Sequence, residues 1–177
     1  MNEHFDPLDK DTGGRIVIDS NHNAVHEGRM FGFHIENLAA TAATVINVHY
    51  RTGDEEVHLD AVRQALGGRV QTIFYENAIV SMLGSAIVPI KNKNRNYPDT
   101  DGMTIRTDTT FSAVGSALST TQILADSTNQ SKQTSSIKDT VEWVLKPNSD
   151  YLARTTFAAN TIYTMDGLFY HEKKEVE

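Results

Sequence analysis

Along this chain apolar residues recur at every second position in short stretches, and turn-forming residues break them at close intervals. Met30, Phe31, Phe33, Ile35 and Leu38 make an aromatic, β-branched segment, and Val45, Ile46, Val48 and Tyr50 make the next. A short strand over 15–19 (RIVID) precedes them, followed by a loop with Ser20, Asn21, His22 and Asn23. Residues 55–66 fit two templates. Val57, Leu59 and Ala61 suit a strand, whereas Val57, Ala61, Val62, Ala65 and Leu66 suit a helix closed by Gly67-Gly68. Strands on either side favour the strand, and Gly67-Gly68 then predicts a hairpin turn into the alternating run 69–77.

The alternation resumes at Val141, Trp143 and Leu145, stops at Lys146-Pro147-Asn148-Ser149, and continues through Tyr151, Ala153, Thr155 and Phe157. Proline presets φ for the first corner of a type I turn, and Asn and Ser side chains bond their own backbone, so the chain reverses here. The pattern predicts a β-hairpin around the only tryptophan, in the register that sets Trp143 and Leu145 on one apolar face with Tyr151 and Ala153. Residues 161–171 supply a last strand, broken or bulged near Asp166-Gly167. The form S-x-[LV]-G-S-A-[IL] occurs twice, at Ser81–Ile87 and Ser112–Leu118, and predicts two similar strand-to-loop transitions in one antiparallel system. Loops at 91–102 and 126–136 are polar; the second, without one apolar residue, is expected to be exposed and mobile.

Short strands, frequent turns and no convincing amphipathic helix predict an all-β, antiparallel β-sandwich, with a jelly roll as the specific topology. Residues 15–171 form the domain, 1–14 an extended N-terminal arm and 172–177 a charged tail. The arm's sizeable apolar side chains after Met1 are Phe5 and Leu8, candidate contacts with a neighbouring molecule.

Composition narrows the chemistry. A single domain of 177 residues buries roughly 70% of its unfolded surface, so a full core needs no staples. Cysteine is absent, which excludes disulfides and thiolate metal sites. The net charge of -7 disfavours nucleic acid, whose affinity comes from neutralised phosphates. The acidic N-terminus lacks signal-peptide character, and no apolar run approaches the ~20 residues that span a bilayer, so no membrane partner is expected.

His22-x3-His26-Glu27 and His34 are metal-ligand residue types, but a loop gives them no common face, so hydrogen-bonded or surface histidines are expected, with no metal. Gly28 to His34 spells G-x5-H, yet Glu36 stands where a cupin has its second histidine, and no Pro-Gly-His element follows. Nucleophile elbow, P-loop, dinucleotide turn and EF-hand are all missing, so neither a cofactor nor enzymatic activity is expected. Asp99 and Asp101 beside Asn96 read as an acidic turn more readily than as a calcium site. In the same loop Asn94-Arg95-Asn96 is a candidate partner-binding triplet, because a planar guanidinium suits a partner's carboxylate.

The order of several motifs resembles a known family. His22-x3-His26-Glu27-Gly28 with an aromatic strand is followed by Phe74-Tyr75-Glu76-Asn77, Val80-Ser81 and Gly84-Ser85-Ala86. Then come Asn92-Lys93-Asn94-Arg95-Asn96, and Glu142-Trp143-Val144-Leu145-Lys146-Pro147-Asn148 with Tyr151-Leu152. This series, spanning Ile16 to Tyr170, is similar to tailed-bacteriophage virion structural proteins of the head decoration or cement type. The chain departs from them in its Ser/Thr-rich 126–136 loop, where such proteins tend to be glycine-rich, and in Tyr97-Pro98. The resemblance implies a β-sandwich made in the host cytoplasm. It would bind the outer surface of a shell of major capsid protein, often as a trimer, and reinforce that shell. The alternative is a head-fibre or tail-associated module on the same fold, binding a receptor or carbohydrate.

Overall fold

Strand burial follows side-chain type with period two: through Thr161–His171, buried residues alternate with exposed or half-buried ones along all eleven positions. In the computed structural model the described residues are 20–41, 44–66, 68–84, 87–99, 102–107, 109–123, 134–138, 142–158 and 161–171. The arm with Phe5 and Leu8, the strand expected at 15–19 and the 172–177 tail lie outside them.

Among the described residues one helix, α1 (Ser20–His26), precedes thirteen strands: β1 Met30–Ala40, β2 Val45–Arg51, β3 Val57–Leu66, β4 Val70–Glu76, β5 Ile79–Met82, β6 Ile90–Asn92, β7 Thr104–Arg106, β8 Thr110–Ala113, β9 Ser116–Ile123, β10 Thr134–Lys138, β11 Trp143–Leu145, β12 Asp150–Phe157 and β13 Thr161–His171. A front sheet runs β10-β3-β13-β1-β6, with β11 sharing the β3 edge, and a back sheet runs β7-β2-β12-β4-β9. Every pairing is antiparallel. The two sheets pack face to face as an all-β sandwich.

Aromatic rings join the sheets. Phe33 of the front sheet meets Tyr50 of the back at 6.0 Å between centroids, Tyr50 meets Phe74 at 6.1 Å, and Phe74 meets Trp143 of the front at 5.6 Å. Phe74 also stacks on Tyr151 at 5.7 Å, 9° from parallel. Thr72 and Thr155, opposed in the back sheet and buried, satisfy one another at 3.0 Å.

Residues 57–66 are a strand, as expected, but β3 and β4 are not the arms of the hairpin expected around Gly67-Gly68, because β3 lies in the front sheet and β4 in the back. The Trp143 hairpin is corrected in the same way. β11 pairs with β3, while β12 pairs with β2 on one side and β4 on the other. Lys146–Ser149 is therefore a corner between sheets. Thr52 at the end of β2 braces it: its hydroxyl donates to Lys146 O at 2.7 Å and accepts from Ser149 N at 2.9 Å. Asn148 takes φ 50° there, and the Tyr151 hydroxyl accepts from Lys146 N at 2.8 Å. The expected apolar face survives, since Leu145, Tyr151 and Ala153 are buried in the core and Trp143 packs against it.

No bulge occurs at Asp166-Gly167, whose register to β1 and β3 is unbroken; the irregularity is on β1, between Asn37 and Ala40. Gly167 leaves room for the Phe33 ring, which a Cβ there would meet at 2.1 Å. The loop expected at Ser20–Asn23 is α1 instead. It ends in a Schellman motif, with Gly28 at φ 71°, Gly28 N donating to Val25 O and Arg29 N donating to Ala24 O. Ala24 is fully buried, and Tyr97 covers Gly28. Within the loop expected at 126–136, Thr134–Ser136 belong to β10, and 126–133 lie outside the described residues.

Candidate interaction surface

The back-sheet pair β4·β9 continues beyond Glu76↔Ser116 as the two-stranded ribbon β5·β8, which begins at Ile79↔Ala113. Between the two lie Asn77 at φ 59° and Gly115 at φ 83°, conformations that turn the ladder out of the sheet plane. Gly115 is required on two counts, since a Cβ there would also meet Glu76 O at 2.0 Å. Shifts between Ile79 and Val80 and between Val80 and Met82 twist the ribbon further.

On its inner side Phe111 of β8 lies edge-on to His49 of β2 at 5.6 Å, and His49 Nε2 bonds Asp150 Oδ1 at 2.8 Å. Arg51 pairs with the other Asp150 oxygen. His49 and its cross-strand neighbour Leu152 point away from the core, yet both are buried. Outward, the ribbon and the segment leaving it carry Ile79 (59% exposed), Met82 (64%), Leu83 (60%) and Ile87 (60%). Among the described residues β5 and β8 pair only with each other, so each keeps an open edge. Four apolar side chains beside open strand edges form a surface suited to a protein partner.

This surface coincides with the duplicated heptad. Both copies begin on the ribbon, Ser81 on β5 and Ser112 on β8, but the ladder does not pair one with the other: Met82 faces Thr110, Ala113 faces Ile79, and the Ser112 hydroxyl donates to Ile79 O. They then diverge: the second turns at Gly115 into β9, while the first leads to Ile87, which bridges Arg106. The repeat was the sequence signal for this region; the pairing of the strands on which its copies begin was not visible in it.

Asn94, Arg95 and Asn96 lie in a tight turn after β6. Asn94 N–H donates to Asn92 Oδ1, Asn96 N–H donates to Asn94 Oδ1, and Asn94 Nδ2 donates to the carbonyl of His26. The Arg95 guanidinium already has a carboxylate, Asp99, at 2.6 Å, which Lys91 also engages at 2.8 Å. Bonds from Lys91, then Arg95, then Asn92 N–H hold the Asp99 carboxyl well below the usual range, against a smaller desolvation effect. The triplet thus builds its own loop, while Arg95 stays two-thirds exposed.

His34 bonds Asp166 across β1 and β13 at 2.7 Å, and His22 and His26 sit on α1. A groove of about 400 Å³ on the front sheet is lined by residues including His34, Lys91, Lys93 and Asp166. No helix among the described residues is long and apolar enough to cross a membrane. No protein-family model matches this chain, and no curated protein matches it.

Proposed function

We propose that this chain is a non-enzymatic decoration, or cement, protein of a tailed-bacteriophage head. In this reading it is a jelly roll that binds the outer surface of the major capsid protein shell, as a trimer, and bridges neighbouring subunits. The observation that carries the reading is the kinked β5·β8 ribbon, which with the segment leaving it presents four apolar side chains about 60% exposed. The jelly-roll topology is supported by the strand orders β1-β13-β3-β10/β11 and β2-β12-β4-β9, with the chain crossing between sheets at most connections.

Cementing then works through avidity. Each copy buries a modest apolar contact, and many copies bridging adjacent subunits keep the shell closed when any one contact opens. Imaging of virions made with and without the protein tests this. Density on the outer shell that vanishes in its absence is the expected result; shells identical in both preparations overturn it.

The groove beside His34, Lys93 and Asp166 favours a second reading, a head-fibre or tail-associated module that binds a receptor or carbohydrate. Density confined to fibres or tail in the same images would select it.

A further inference from the structure

We propose that His22 and His26 form a bidentate site for a tetragonal divalent cation of the copper(II) or nickel(II) class. The two residues are four apart on α1, so their side chains rise from one face, and both are exposed. Their Nε2 atoms approach to 3.0 Å while the ring centroids stay 4.5 Å apart, so the nitrogens converge.

That separation has a coordination meaning. With metal–nitrogen bonds of ~2.05 Å, two donors 3.0 Å apart subtend about 94° at the metal, the cis angle of square-planar or octahedral complexes. The same bonds put the ring centroids about 4.6 Å apart, against the 4.5 Å present. A tetrahedral ion would need donors ~3.3 Å apart, so zinc fits less well than copper or nickel. Both geometries are close to met before any metal enters.

The anchorage of α1 supports the site. Gly28 and Ala24 fix its C-terminal end, and Asn94 Nδ2 holds the His26 carbonyl at 3.2 Å. Glu27 is turned elsewhere, one carboxylate oxygen accepting from Asn23 and the other pairing with Arg29 at 2.7 Å. Among the described residues no group of three or more donors converges, so the chain supplies two ligands and water fills the remaining positions. An N–H···N hydrogen bond between neutral rings gives the same 3.0 Å, and the experiment separates the two cases.

The experiment is titration of the untagged full chain with nickel chloride and with copper chloride near pH 7.5, by calorimetry. His4 is replaced by Gln throughout, because an imidazole close to a terminal amine chelates on its own. One ion per chain should bind. Either His22→Gln or His26→Gln should weaken binding at least ~10-fold, because the intramolecular second bond is lost. His34→Gln should leave binding unchanged, and zinc should bind more weakly than either test ion. Both sites of substitution are exposed, and circular dichroism checks that the variants fold. For copper, electron paramagnetic resonance should show two coordinated nitrogens that become one in either variant. Affinity unchanged by both substitutions, or no binding up to millimolar metal, overturns the proposal and leaves the hydrogen bond.

Discussion

Under the proposed cement function, replacing Met82 and Leu83 together by serine should abolish binding to capsid shells and leave the domain folded. These side chains are 64% and 60% exposed, so the fold gains little from them, and stability should change by no more than about 0.5 kcal/mol. Binding is different. Fully burying a Met or Leu side chain yields ~1.5–3 kcal/mol, and with roughly 0.6 of each side chain still to be covered, the pair contributes about 2–4 kcal/mol. At 1.4 kcal/mol per tenfold, that is a weakening of some thirty- to several-hundred-fold per contact. The lost area is an upper guide, because association also orders side chains. Co-sedimentation of the purified protein with undecorated shells, over a concentration series, measures the change. Val45→Ser with Ile162→Ser is the matched control, since both residues are exposed apolars outside the ribbon. An affinity within threefold of the parent for the ribbon variant, or an equal loss in the control, would refute the assignment of this surface.

Three other outcomes follow from the core and the turn. Gly167→Ala drives a methyl into the Phe33 ring at 2.1 Å, and the overpacking should cost ~1–3 kcal/mol; an unchanged thermal midpoint would show that the ring moves freely. Trp143→Ala removes a half-buried indole packed on Phe74. The loss in denaturant unfolding should be about 2–3 kcal/mol, below the ~3–5 of a fully buried ring, and a loss under ~1 would place the indole outside the core. Asp99 has a depressed carboxyl, so its contribution is complete above the ordinary carboxylate range and is lost as pH falls through the depressed value. A carbon-13 titration of its side chain should therefore be flat from pH 6 to 3, and a midpoint near 4 would break the Lys91–Asp99–Arg95 network.

Where residue type decides burial, the sequence carried the answer. In β3, Val57, Leu59, Ala61 and Ala65 are buried on alternate positions, as the strand template required, although the stretch also fitted a helix and the strands on either side decided between the two. The helix α1 gave no such signal. Among its side chains of described burial, from His22 to His26, only Ala24 is buried, and what holds the helix is a left-handed Gly28 under Tyr97, a residue sixty-nine positions later. β10 was illegible for a related reason. Its sequence, TSSIK, has little apolar content, and its strand character comes from the β3 edge it completes. At the candidate surface, Ile79, Met82, Leu83 and Ile87 have the composition of core residues. Their exposure follows from the kinks at Asn77 and Gly115, which lift the ribbon off the sheet.

The Trp143 corner shows why faces were easier to read than partners. Pro147, Asn148 and Ser149 specify a reversal, and a hairpin and a sheet-crossing corner use the same residues to make one. What separates them is edge occupancy. A strand has two edges, and those of β12 are filled along its length by β2, through Asp150–Thr156, and by β4, through Tyr151–Phe157. Three-residue β11 would have to displace one of these longer pairings to make the hairpin, and the free edge of β3 offers it three partners at no such cost. Either pairing directs Leu145, Tyr151 and Ala153 into the same interior, because the inner faces of both sheets meet there. The apolar face was therefore fixed locally, whereas the pairing depended on residues about a hundred positions away. Among the described residues the same competition leaves β5 and β8 with open edges: β4 and β9 occupy the back sheet up to Glu76 and Ser116, and the kinks beyond them carry the ribbon out of the sheet.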